Sequence, residues 1–218
     1  MSANPPAARA RPLLRGYSHA LAAVLALPAA IWLVAQAPTR RAAVGATVYG
    51  ATLAVMFTVS GLYHRVFWPP HLRSWVGRVD HSAIFLLIAG TYTPFCMLLG
   101  PGGGYALLAT VWASAALGMC LVVLVPRTPK PVRSGLYVLL GWFIVPFLPA
   151  IHAAVGSGPL LLILAGGAFY TVGAVIYASR RPDPYPAVFG FHEIFHLLVI
   201  AAATLQFLAV TVTVRATT

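Results

Sequence analysis

The chain alternates long apolar stretches with short breaks that are rich in proline and glycine. A helix that rises 1.5 Å per residue needs about 20 residues to cross the hydrocarbon core of a bilayer. Seven stretches have that length, and they predict transmembrane helices over residues 18–37, 43–65, 80–99, 105–125, 134–151, 159–179 and 189–214. The pattern therefore predicts an all-α integral membrane protein, a seven-transmembrane helical bundle that forms one domain over residues 17–218.

The composition agrees with this prediction and excludes the soluble globular class. Hydrophobic residues make up 60% of the chain and charged residues only 8%, well outside the usual range of soluble domains. Residues 1–16 differ from the rest, because alanine, proline and arginine dominate them. Such a segment buries too little apolar surface to fold by itself, and we predict a disordered cytoplasmic tail over residues 1–16.

The positive charges predict the orientation of the bundle. Eleven of the 14 Lys and Arg residues lie in the N-terminal tail and in the second, fourth and sixth loops. Short loops rich in Lys and Arg stay on the cytoplasmic side, so the N-terminus is expected in the cytoplasm and the C-terminus outside. Attraction of these loops to anionic headgroups explains the net charge of +11. The predicted partners are therefore membrane lipids, with no nucleic acid, and the oligomeric state stays open.

Ionisable residues inside the predicted spans are the candidate functional residues, since such groups are costly in lipid. Ser60 and His64 fall at the cytoplasmic end of the second span, and Asp80 falls at the cytoplasmic start of the third. His192 and His196 lie within the first two turns of the seventh span. The predicted topology brings these five residues to one depth in the inner leaflet.

The residue types at this depth predict a zinc site. His192 and His196 are four positions apart, so both imidazoles lie on one side of a helix, about 6 Å apart along its axis. With His64 they provide three nitrogen ligands, and an open fourth position is typical of catalytic zinc. Asp80 would hydrogen-bond water at the open position and accept its proton. Ser60 would hold the same water or a polar group of a substrate.

Other interpretations of these residues remain. His64 by itself is compatible with an interfacial residue, and Asp80 with the N-terminal cap of the third helix. The segment from His192 to His196 also matches H-E-x-x-H, in which Glu193 would be the general base of a metalloprotease. Any further ligand of such a protease must come from upstream, because no His, Asp, Glu or Cys follows His196. Glu193 alternatively interacts with the dipole at the start of the seventh helix.

Two further histidines, His19 and His81, are expected at a similar depth. They are close enough to the predicted site to be its neighbours. We expect both to be structural residues rather than ligands.

Three motifs together resemble the haemolysin III family of bacteria: Ser60-x-x-x-His64, the block from Asp80 to Pro94, and His192-Glu-Ile-Phe-His196. That family is similar to the progestin and adipoQ receptors and more distantly to alkaline ceramidases. The resemblance implies that His64, His192 and His196 bind zinc, with Asp80 and Ser60 beside water. It also implies a multi-pass protein of the bacterial inner (plasma) membrane with its site in the inner leaflet.

Three functions follow as hypotheses. The leading one is a zinc-dependent hydrolase of a lipid amide or ester, with Asp80 and Ser60 as the catalytic residues. The second is a non-enzymatic membrane sensor or regulator in which zinc only ties helices together. The third, a pore-forming cytolysin, is disfavoured because the spans contain few polar residues to line an aqueous lumen.

Overall fold

The computed structural model describes residues 11–125 and 127–218, and the elements in these residues are helices joined by short loops. Seven segments are long and apolar enough to cross a membrane, which confirms the seven-helix fold class. The fifth segment consists of α5, a 3₁₀ turn at Trp142–Phe147 and α6. The α-helices are α1 Tyr17–Ala35, α2 Arg40–Arg65, α3 Pro70–Leu99, α4 Gly104–Leu124, α5 Lys130–Gly141, α6 Leu148–Val155, α7 Ser157–Ser179 and α8 Phe191–Ala216.

Two helices begin earlier than their hydrophobic stretches predict. Helix α3 starts at Pro70, ten residues before the predicted boundary at 80, and α5 starts at Lys130 rather than at 134. Both carry proline in the first turn, where the missing N–H costs nothing and the fixed φ suits a helix. The prolines that suggest loops are therefore helix starts, and Arg133 belongs to a helix rather than to a loop.

The fifth segment departs from a continuous α-helix near its middle. Its backbone tightens into a 3₁₀ helix from Trp142 to Phe147 before α6 begins at Leu148. Pro146 lies in this turn and cannot donate an intrahelical hydrogen bond. The two halves of this segment pack against α7, and residues of α5 and the 3₁₀ turn line the interior of the bundle.

Helix α8 contacts most of the bundle, and this position decides where its histidines lie. It packs on α7 most extensively and also contacts α1, α2, α3 and α6. Its inward residues, His196 and Val199 among them, are buried. Because α2 and α3 also pack against each other, the polar residues of all three helices meet at one end of the bundle.

Residues 11–16 lie against this same end. The backbone N–H groups of Leu13 and Leu14 donate to the carbonyl groups of Ala187 and Val188, at 3.0 and 3.1 Å. Gly16 has a left-handed conformation with φ of 80°, and a side chain there would overlap His64. The predicted disordered tail covers these six residues, but backbone pairing with the loop before α8 holds them in place. The rest of that tail, residues 1–10, lies outside the described residues.

Candidate metal centre and cavity

Three histidines from two helices converge at the end of the bundle where residues 11–16 lie. His64 is in the last turn of α2, whereas His192 and His196 are in the first two turns of α8. One potential ligand atom from each lies within 4.8 Å of those of the other two. His64 and His196 are buried and His192 is half-buried. The structure thus brings together the three residues that the sequence predicts as ligands.

The cluster could hold one metal ion. The Nε2 atoms of His64 and His192 face each other at 3.2 Å, and two ligands at 2.0–2.1 Å from a tetrahedral ion would be about 3.3 Å apart. The Nδ1 atom of His196 is buried without a hydrogen-bond partner among the described residues. A buried nitrogen of this kind calls for an explanation, and His196 belongs to the group that could hold a metal ion. Imidazole donors suit several transition metals.

Asp80 and Ser60 lie beside the histidines, as the predicted topology requires. Asp80 Oδ2 is 4.0 Å from Nε2 of His64, and both Asp80 and Ser60 are buried in the wall of the same cavity. Asp80 is ten residues inside α3, which starts at Pro70, so its interpretation as an N-terminal cap is wrong. A carboxyl group near the cluster but not part of it is positioned to exchange protons there.

His19 is the nearest further residue, and it contacts both the cluster and Ser60. Its ring stacks on His196 with centroids 3.7 Å apart. Its Nδ1 is 2.8 Å from Ser60 Oγ, and its Nε2 is 3.3 Å from the carbonyl oxygen of His196. A carbonyl only accepts, so a neutral His19 carries its proton on Nε2 and accepts the Ser60 hydroxyl at Nδ1. The lone pairs of Ser60 Oγ therefore remain available to accept a hydrogen bond.

Glu193 has a structural role in this arrangement. Its Oε2 accepts a hydrogen bond from the backbone N–H of Gly190 at 2.8 Å, and its Oε1 pairs with Arg15. The carboxylate thus caps the start of α8 and neutralises a cation of the N-terminal segment. Both oxygens are engaged outside the cavity, so the H-E-x-x-H match lacks the free general base that a metalloprotease needs.

A second polar group lies at the same end of the cavity, around Tyr177. Arg133 donates to the Tyr177 hydroxyl at 3.1 Å, and His81 Nε2 is 3.3 Å from that oxygen. Tyr137 donates to the carbonyl oxygen of His81 at 2.9 Å. Sequence reasoning assigns Arg133 to a loop and passes over both tyrosines, because a tyrosine in an apolar span gives no signal of its own. His19 and His81 are placed by the sequence at a similar depth as neighbours of the site, and both line the cavity.

The cavity continues from the histidines into the interior of the bundle. Its volume is about 140 Å³, whereas one water molecule needs about 10–15 Å³. Its walls come from α1, α2, α3, α5, α7 and α8, and most of its lining residues away from the cluster are apolar or aromatic, Leu87, Phe95 and Val199 among them. A polar centre at one end of a long apolar space suits an amphipathic ligand.

Comparisons with known proteins agree with this architecture. A protein-family model described as "Haemolysin-III related" matches residues 7–207. Hemolysin-3 of Bacillus cereus is 32% identical over 88% of this chain and 87% of its own length. The Hemolysin-3 homolog of Bacillus subtilis (strain 168) is 28% identical over 88% and 89% of the two chains. The human monocyte to macrophage differentiation factor is 29% identical over 89% of this chain and 80% of its own.

We expect purified wild-type protein to contain about one metal ion per chain, as a single three-histidine site requires. His64→Ala and His196→Ala each remove a ligand, and both should lose the metal. Elemental mass spectrometry on detergent-purified protein measures this. His71→Ala is the matched control, because His71 is exposed, and it should keep the metal. A folded wild type without metal would contradict the assignment.

The Arg15–Glu193 pair should stabilise the fold. Arg15→Ala leaves the Glu193 carboxylate buried without its cation, and we expect the free energy of unfolding to fall by up to about 3 kcal/mol. Adding Glu193→Gln to Arg15→Ala should recover part of this loss, because the neutral amide still accepts from Gly190. Thermal unfolding in detergent measures both, with Arg127→Ala, at an exposed position, as the control. Equal losses in the single and double variants would contradict a stabilising ion pair.

Proposed function

This chain belongs to the haemolysin-III-related family of membrane proteins, and we propose that it is a zinc-dependent hydrolase of a lipid amide or ester. The observation that carries the proposal is the position of the His64, His192 and His196 cluster. It lies at the polar end of an apolar cavity, with Asp80 at 4.0 Å from His64. Three protein ligands with an open position are typical of catalytic rather than structural zinc.

The chemistry divides between the cluster and its neighbours. A zinc ion held by the three histidines would act as a Lewis acid on the scissile carbonyl and on water. Asp80 accepts a proton from the attacking water while the oxygen of that water adds to the carbonyl carbon. Asp80 then delivers that proton to the leaving nitrogen or oxygen as the bond to the carbonyl carbon breaks. The products are a fatty acid and an amine or alcohol, which balances the addition of one water.

Ser60 and His19 position the reacting groups in this proposal. With the His19 proton assigned to Nε2, the Ser60 hydroxyl donates to His19 Nδ1 at 2.8 Å, and its oxygen acts as an acceptor toward the cavity. It can therefore accept from the attacking water or from the N–H of a lipid amide. The apolar part of the cavity holds the acyl chain, and the carbonyl group lies at the cluster.

We place the site in the cytoplasmic leaflet of a bacterial inner membrane. The support is the distribution of Lys and Arg, most of which lie in the loops and adjoining helix turns at the end of the bundle that carries the site. Two of the relatives are bacterial. The lipid partners of the proposal are molecules of this leaflet, which reach the cavity from the bilayer itself.

A sensor or regulator in which zinc is structural is the second candidate. It is supported by the way the histidines link α2 to α8, since a metal there would hold the two helix ends together. A mammalian relative is named as a differentiation factor, which suits regulation. The name of the bacterial relatives suggests cytolysis, but the apolar walls of the cavity are unsuited to an aqueous pore, and we do not propose that activity.

Asp80→Asn distinguishes the hydrolase from the sensor. If the protein is a hydrolase, the variant should keep its metal and its unfolding temperature. Its rate of hydrolysis should fall by about 10²–10⁴-fold, because the proton acceptor is gone. Release of fatty acid from a panel of lipid amides and esters measures activity. Asp183→Asn is the matched control, since Asp183 accepts only from the backbone of Phe191 in the described structure and an amide oxygen can do the same.

Two outcomes would contradict the hydrolase. One is a folded, metal-loaded wild type that releases no fatty acid from any lipid of the panel. The other is an Asp80→Asn variant that keeps the full function of the protein in cells, together with a His196→Ala variant that does not fold. The sensor with structural zinc predicts this pair of results.

The proposed orientation can be measured with single cysteines in a background that carries Cys96→Ala and Cys120→Ala. Ser74 and Ser157 are both exposed and lie near the starts of α3 and α7, at opposite ends of the bundle. A membrane-impermeant thiol reagent on intact spheroplasts should label Ser157→Cys and leave Ser74→Cys unlabelled. Both should react after lysis. Labelling of Ser74→Cys but not of Ser157→Cys in intact spheroplasts would show that the orientation is the opposite of the one proposed.

A further inference from the structure

Gln206 is one of the polar residues of the cavity wall that the proposed chemistry does not use. Gln206 lines the same cavity as His192 and His196. It follows His196 by ten residues on α8, which is about 15 Å along the helix axis. The cavity thus runs from the candidate metal centre to a buried amide deep among apolar side chains.

The orientation of this amide follows from its one hydrogen bond. Gln206 Nε2 donates to the carbonyl oxygen of Ile163 at 3.1 Å, and a carbonyl oxygen can only accept. The reverse orientation would set two oxygens against each other, so the nitrogen faces Ile163. A side chain at Gly166 would come within 2.8 Å of Nε2, so the absence of one there lets the amide dock against α7.

The other half of the amide is unsatisfied. Oε1 of Gln206 is buried without a hydrogen-bond partner among the described residues, and the residue is only 7% exposed. One other polar side chain of the cavity wall, Thr171, is already occupied: its Oγ1 accepts from Trp142 at 3.0 Å and donates to the carbonyl oxygen of Gly167 at 2.8 Å. A buried acceptor without a donor is destabilising, and here the donor can come from the occupant of the cavity.

We infer that Gln206 Oε1 accepts a hydrogen bond from a hydroxyl group partway along the acyl chain of the bound lipid. The inference rests on the proposed function for the placement of the acyl carbonyl at the histidine cluster. It goes further by naming the ligand class, which is a hydroxylated acyl lipid. An unsubstituted chain would fill the same space and leave Oε1 unpaired, so the site should bind the hydroxylated lipid more tightly than the unsubstituted one.

The distance along α8 predicts the position of the hydroxyl. An extended alkyl chain with C–C bonds of about 1.5 Å advances about 1.25 Å per carbon. A span of about 15 Å therefore corresponds to roughly 12 carbons. The preferred ligand carries its hydroxyl near that carbon, and a hydroxyl beside the carboxyl group would not reach Gln206.

Equilibrium binding tests the inference without requiring turnover. The probes are octadecanoic acid and its isomeric derivatives with a hydroxyl on about carbon 12 or on carbon 2, each competing with labelled octadecanoic acid for wild-type protein in nanodiscs. The mid-chain hydroxy acid should bind about tenfold tighter than the unsubstituted acid, a ratio that corresponds to about 1.4 kcal/mol. The derivative hydroxylated beside the carboxyl group should show no such gain.

Gln206→Leu should abolish the preference while it keeps binding of the unsubstituted acid. Gln36→Leu is the matched control, because Gln36 bonds Arg215 outside the cavity, and it should keep the full preference. If Gln206→Leu does not fold, the relative affinities of wild-type protein for the three acids still test the inference. Equal binding of all three acids would overturn the hydroxyl site alone and leave the hydrolase proposal standing. Failure of every acid to bind would overturn both the hydroxyl site and the acyl-binding part of the proposed function.

Discussion

The structure depends on one constraint: polar groups inside an apolar bundle must find partners within the protein. Few such groups exist here, and they are concentrated near one end of α2, α3 and α8. His19 bonds Ser60 and stacks on His196, while Arg133 and His81 share Tyr177. Within this network, Nε of Arg133 and Nδ1 of His196 lack a hydrogen-bond partner among the described residues, and His196 belongs to the histidine cluster that could hold a cation.

The same constraint explains the other end of the cavity. Between the histidines and Gln206 the walls are mainly apolar, and two of the polar side chains there, Tyr92 and Thr171, bond within the protein. Nδ1 of His196 and Oε1 of Gln206 are the two buried atoms on residues of this cavity that lack a partner within the described part of the chain. We associate His196 with a metal through the cluster to which it belongs and Oε1 of Gln206 with a ligand, so the two interpretations describe one elongated binding site.

Residues 11–16 connect the N-terminal segment to this site. Their backbone pairs with the loop before α8, Arg15 neutralises Glu193, and Gly16 packs directly against His64. The helix that supplies two candidate ligands is therefore capped by a carboxylate whose charge is balanced from the other end of the sequence. This arrangement shows why the H-E-x-x-H match is misleading: the spacing presents two histidines to one site, but its glutamate is used to begin the helix.

The sequence by itself determined the seven-helix class and the meeting of His64, Asp80, His192 and His196, because hydrophobic length and alternating topology fix the depth of each residue. It could not determine that Pro70 and Pro131 lie in the first turns of helices, since a proline is equally compatible with a loop. Nor could it identify Arg133, Tyr177 or Gln206, which lie in ordinary spans and acquire their roles only from neighbours on other helices. Only the tertiary structure decided which buried polar atoms are satisfied, because hydrogen-bond partners distant in the chain are set by packing.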